Sequence, residues 1–161
     1  EPYRRQRQMC IRDRGNIAEF VSSVKSSFDY LAQEKGISFE MDDKIAEDLY
    51  VSFDREKMQK VLNNLLSNAF KFTSAGGVVT ITLDTCKEPD GVQYFRLCVK
   101  DTGAGIPRKN LSHIFERFYQ GSKKEGSTGL GLAIADSICR LQHLNIRYYF
   151  EQEEHCFEIL K

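Results

Sequence analysis

Residues 54–72, DREKMQKVLNNLLSNAFKF, constrain this chain more than any other stretch. Apolar residues at Met58, Val61, Leu62, Leu65, Leu66, Ala69 and Phe72 recur at helical period behind Asp54, a residue suited to an N-cap. The spacing predicts an amphipathic helix that must bury one face against another layer. At about 100° per residue, Asn64, Asn68 and Lys71 fall together within about 60° at the edge of the apolar arc. Carboxamide oxygens suit a hard cation and an ammonium suits phosphate oxygens, so the stripe fits a metal-bound polyphosphate. It equally fits a solvated helix face.

The rest of the chain supplies the second layer. Apolar positions Ile17, Phe20, Val21, Val24, Phe28 and Leu31 predict an earlier helix, which Gly36 stops. Short strand-like runs follow at 37–41 and 49–53, and a hairpin at 78–83 and 92–100 turns through Pro89, Asp90 and Gly91. A short helix over 108–119, a polar stretch over 120–128, a helix from Gly129 to about Leu144 and closing strands at 145–150 and 155–160 complete the pattern. Helices combined with antiparallel hairpins predict an α/β (α+β) two-layer sandwich.

Composition narrows the partners. Lysine plus arginine and aspartate plus glutamate number 23 each, so no overall field draws the chain to nucleic acid or an anionic membrane. No apolar run reaches the roughly 20 residues that span a bilayer. Cys10, Cys86, Cys98, Cys139 and Cys156 form no CxxC pair and read as reduced thiols of a cytoplasmic protein; His113, His143 and His155 are scattered and read as surface or packing residues. The stretch MCIRDR at 9–14 resembles a translated sequencing-library end. Residues 1–14 are therefore expected to be non-native or residual upstream linker, and 15–161 one domain.

Two loops carry further chemistry. In DTGAGIP, Asp101 follows an apolar strand, and its carboxylate can accept from an exocyclic amine while Gly103 and Gly105 let the backbone approach a flat base. A plain acidic turn has the same letters. GSTGLGLAI, 126–134, places flexible residues before a helix start, where free N–H groups attract anionic oxygens. A P-loop is excluded because Ser127 stands where its lysine belongs, and a dinucleotide fingerprint because Ile134 stands at its third glycine.

Taken in order, NNLLSNAFKFT, DTGAGIP, IFERFYQ and STGLGLAI resemble the N, G1, F and G2 boxes of the histidine-kinase ATPase family, the Bergerat-fold superfamily. The resemblance covers about residues 16–161 and implies three helices on a mixed, mainly antiparallel sheet, with an ATP lid between Pro107 and Gly129. It implies that Asn68 ligates Mg²⁺, with Gln120 a second candidate ligand, that Asn64 supports metal and phosphates, and that Lys71 meets a phosphate. Phe72 would flank ATP and Asp101 bind the adenine amine, while Gly103, Gly105, Ile106 and Phe115 would shape the pocket. Thr128, Gly129, Leu130 and Gly131 would cradle phosphates.

The implied activity is a protein histidine kinase of two-component signalling, with Asn64, Asn68 and Lys71 as its catalytic group. Its ATP-hydrolysing relatives have a glutamate where Asn64 stands, and an amide cannot serve as general base on water. Transfer to an imidazole, which brings its own lone pair, needs positioning and charge neutralisation instead. The three histidines lack an acceptor context, so the implied partners are a homodimeric histidine-bearing dimerisation domain upstream and a response-regulator receiver domain downstream. The segment itself would be cytoplasmic, free or as the inner part of a membrane-bound receptor. Departures from the family pattern are Gln120 for an arginine, Ser127 for a glycine, His143 and Leu144 for a Gly-Gly, and Glu153 and Glu154 in a glycine-rich turn. A serine kinase of the anti-sigma-factor type and a nucleotide-sensing module without turnover are the alternative readings.

Overall fold

The computed structural model describes residues 14–45, 48–91, 93–104, 112–116 and 131–161. The chain runs β1 (Arg14–Asn16), α1 (Ile17–Lys35), β2 (Ser38–Asp43), β3 (Tyr50–Ser52), α2 (Arg55–Phe72), β4 (Val78–Lys87), β5 (Gln93–Asp101), α3 (Gly131–Leu141), β6 (Asn145–Glu151) and β7 (Glu154–Leu160). Five strands form one sheet in the order β2-β4-β5-β7-β6. Only β2 and β4 pair in parallel, and the other neighbours are antiparallel. The three helices pack on this sheet as the expected α/β sandwich, with α2 touching both α1 and α3. Among the described residues no helix is long and apolar enough to cross a membrane.

Local chemistry sets the helix ends. Asn16 caps α1 by accepting from the Glu19 amide, and Asp54 caps α2 by accepting from the Lys57 amide, each at 3.1 Å. Gly36 closes α1 in the left-handed region (φ 67°). There the Ile37 amide donates to the Ala32 carbonyl and the Gly36 amide to that of Gln33. His143 closes α3 with the same two bonds, Leu144 to Cys139 and His143 to Arg140, at φ 58° and without glycine's freedom.

The core lies between α2 and the sheet. Met58, Val61, Leu62, Leu65, Leu66, Ala69 and Phe70 of α2 meet Val79, Ile81 and Leu83 of β4, Leu97 and Val99 of β5, and Phe157 and Ile159 of β7. Phe70, absent from the expected apolar face, is fully buried: it stacks with Phe28 of α1 at 6.0 Å and meets Phe39 of β2 edge-on at 5.0 Å. Phe72, assigned to that face, is only half-buried. The helix is enclosed on two sides near its C-terminus, so its apolar arc is wider there than a single contact face allows. The small sheet of β1 with β3, in which Arg14 pairs with Ser52, was also unanticipated.

Candidate functional site

The C-terminal half of α2 forms the floor of the candidate site. Asn64, Asn68, Lys71 and Phe72 are all half-buried, at the boundary between the core face and solvent. Asn64 lies against the first residue of α3: a β-carbon on Gly131 would sit 3.6 Å from its Oδ1. The described first turn of α3 contains no acidic residue, so this end of the helix brings no carboxylate of its own to the Asn64 stripe. Lys71 places its ammonium 5.8 Å from the centre of the Phe72 ring.

The turn after β5 forms one wall. Asp101, the last residue of β5, is buried, and its Oδ1 accepts from the Gly103 amide at 3.0 Å. Burial raises the Asp101 pKa, opposed by the Gly103 hydrogen bond and the neighbouring His155. Thr102 ties the same turn to β4, its amide donating to the Val78 carbonyl at 3.1 Å and its hydroxyl accepting from the Val78 amide at 2.9 Å. Gly103 is pressed onto the end of α2, where a β-carbon would meet the Phe72 carbonyl oxygen at 2.4 Å. The two glycine-bearing segments, far apart in sequence, thus converge on one helix: Gly103 at its end and Gly131 two turns earlier.

Phe115 packs edge-on against Phe157 of β7 at 6.4 Å, beside the buried Ile114. Of the remaining expected site residues, Gly105, Ile106, Gln120, Thr128, Gly129 and Leu130, with most of the expected lid, lie outside the described residues.

One residue of this region escaped the sequence reading. His155 of β7 stands opposite Asp101 in the β5–β7 register and is buried. Its Nε2–H donates to the Gly103 carbonyl at 2.9 Å, and the Tyr148 hydroxyl lies 2.5 Å from Nδ1. Only its place on the inward side of a closing strand, two residues before Phe157, signals this role in sequence.

Residues 53–159 match the family described as Histidine kinase-, DNA gyrase B-, and HSP90-like ATPase. The chain is 39% identical over 128 residues to sensor histidine kinase WalK of Bacillus subtilis, a match that covers 76% of this chain and spans a fifth (20%) of that protein's length. The fold is similar to the catalytic domain of histidine kinase ThkA, with a TM-score of 0.79 at 27% identity over 92% of this chain and 93% of that one. It is also similar to part of full-length ShkA, solved in complex with AMPPNP, with a TM-score of 0.76 at 26% identity over 92% of this chain and 30% of that one. With a two-layer fold, an asparagine-bearing helix and two glycine turns set against it, this chain belongs to the Histidine kinase-, DNA gyrase B-, and HSP90-like ATPases, as the ATP-binding domain of a sensor histidine kinase.

Proposed function

We propose that this domain binds Mg-ATP on the Asn64, Asn68 and Lys71 edge of α2 and transfers the γ-phosphate to a histidine carried by a separate dimerisation domain. The observation that carries the reading is the convergence of Gly103 and Gly131 on that helix. One glycine turn then meets the base beside Asp101, and the first turn of α3 meets the phosphates beside Asn64. The AMPPNP bound in the structure of ShkA supports an adenine nucleotide as the ligand.

The donor set fits a hard cation: Asn64 and Asn68 offer neutral carboxamide oxygens one helical turn apart, both half-buried. Bound Mg²⁺ would supply charge neutralisation for the polyphosphate. Asn68, with Gln120 as a second candidate, would hold the metal; Asn64 would orient it and the phosphates, and Lys71 would neutralise a phosphate oxygen. Gly105, Ile106 and Phe115 would complete the base pocket, and Thr128, Gly129 and Leu130 the phosphate cradle. Asn64 cannot take a proton from water, so the domain favours transfer to an imidazole nitrogen over hydrolysis. A histidine-bearing homodimeric domain and a response-regulator receiver domain are the partners of this reaction.

Calorimetry with ATP, in the presence and absence of Mg²⁺, tests the binding half of this reading. The wild-type domain should bind with useful affinity only with Mg²⁺, and Asn68→Ala should lose most of that dependence. Equal binding by both proteins in both conditions would remove the metal assignment.

A further inference from the structure

The base-recognising carboxylate is not held by its own strand alone. Asp101 ends β5, and the next two residues leave the sheet; Thr102 is tied to Val78 of β4, whereas Gly103 is tied across to His155 of β7. His155 is itself locked. It is 7% exposed, and its ring lies nearly parallel to Tyr148, at 6.0 Å and 7°, and is stacked by Phe150 at 4.8 Å. A carbonyl oxygen can only accept, so Nε2 carries a proton; the Tyr148 hydroxyl then donates to Nδ1 in the neutral ring, fixing one tautomer.

Resting on the reading of Asp101 as the base acceptor, we propose that His155 is a positioning residue that sets base selectivity. By anchoring the Gly103 carbonyl it fixes where the turn lies, and so keeps the amide on the other side of the Gly103 α-carbon within reach of Asp101 Oδ1. That commits one carboxylate oxygen to the protein and turns Oδ2 toward the exocyclic amine of a purine. The end of α2 blocks the turn from the other side, since Gly103 already touches the Phe72 carbonyl. The turn therefore sits between a fixed stop and a directional hydrogen bond. Without the bond, the turn is free to shift at Gly103, the Gly103 amide moves off Oδ1, and the carboxylate no longer presents a single acceptor at a single angle. His155 touches neither base nor phosphate in this account; it acts through Gly103.

The test compares ATP with inosine triphosphate, which has an oxo group in place of the 6-amine, by displacement of a fluorescent nucleotide from the domain in the presence of Mg²⁺. The wild type should prefer ATP. His155→Ala should weaken ATP binding about five- to tenfold while leaving inosine triphosphate within about twofold, so the ratio of the two narrows. His155→Gln, whose amide N–H can reach the Gly103 carbonyl, should restore most of the ratio. A folded His155→Ala domain with the wild-type ratio, including one that loses both nucleotides equally, overturns the proposal. If His155→Ala does not fold, Tyr148→Phe carries the test. It keeps the ring and removes only the hydroxyl that fixes the imidazole, so a narrowed ratio supports the proposal and an unchanged one overturns it. A wild-type domain that binds neither nucleotide, or both equally, overturns the base-pocket reading itself. Selective wild-type binding that His155→Ala leaves untouched overturns the inference alone.

Discussion

Gly103 lies so close to Phe72 that a β-carbon on it would come within 2.4 Å of the Phe72 carbonyl oxygen. The contact is backbone against backbone, so no side chain can turn aside to relieve it. Gly103→Ala should therefore displace the turn after Asp101 and cost about 1–3 kcal/mol, the range for overpacking, while weakening ATP binding. Gly131→Ala is the control: its β-carbon would sit 3.6 Å from Asn64 Oδ1, an ordinary contact, and alanine is favoured in a helix by about 1 kcal/mol. Thermal melting that ranks the first variant below the wild type and the second at or above it is expected; the reverse order would contradict the packing described.

At Asp101 the proposed base contact and the stability of the fold oppose each other. Burial raises its pKa in the folded state, so the fold prefers the neutral acid. The stability this group contributes is fully present below the ordinary value of 3.8 and is lost as pH rises through the higher folded value. At neutral pH the ionised carboxylate is thus a cost to the apo domain. Asp101→Asn should unfold at equal or higher denaturant concentration than the wild type at pH 7, the advantage shrinking as the pH is lowered, and should lose its preference for ATP over GTP. A variant clearly less stable than the wild type at pH 7 would show that the carboxylate's hydrogen bond to Gly103 outweighs its desolvation.

Among the described residues, three hold left-handed backbone without being glycine: His143 at φ 58°, Gln152 at 51° and Glu153 at 62°. The first closes α3 with the hydrogen bonds that Gly36 makes at the end of α1, and the other two form the two-residue turn between β6 and β7, inside the Glu151–Glu154 pair. A side chain in this region is disfavoured by roughly 1–2 kcal/mol, part of which glycine returns through its more flexible unfolded chain. His143→Gly, and Gln152→Asn with Glu153→Gly, should each stabilise the domain by about 0.5–1 kcal/mol. Calorimetric melting checks this; unchanged or lowered midpoints would mean that side-chain contacts offset the strain.

These positions also mark how far the sequence is readable. The α2 helix, its Asp54 cap and its polar stripe follow from periodicity, because one strongly amphipathic segment carries its own partner requirement. The departure from glycine at His143 and Glu153 is visible in the letters, but that the backbone keeps a glycine conformation there is not. Phe70 was missed because two neighbours, Phe28 and Phe39, enclose α2 from outside the single arc that a helical wheel assigns. The pairing of β1 with β3 is three residues long and bridges distant segments, too short to leave a pattern. His155 reads as a packing histidine until β7 is placed beside β5, since its contact with Gly103 spans 52 residues of chain.

Phosphate transfer from ATP to a histidine, the proposed activity, is measured by incubating this domain with γ-labelled Mg-ATP and, as a separate chain, the proposed histidine-bearing dimerisation domain. Slow, concentration-dependent labelling of the acceptor domain is expected, because supplying the acceptor in trans forfeits the effective concentration of a covalent linker, commonly about millimolar. The label should be lost in acid and survive base, the domain alone should neither label itself nor release phosphate at an appreciable rate, and Asn68→Ala should abolish transfer. Label that survives acid and is lost in base would instead identify a serine acceptor, and rapid phosphate release by the domain alone would contradict the role given to Asn64.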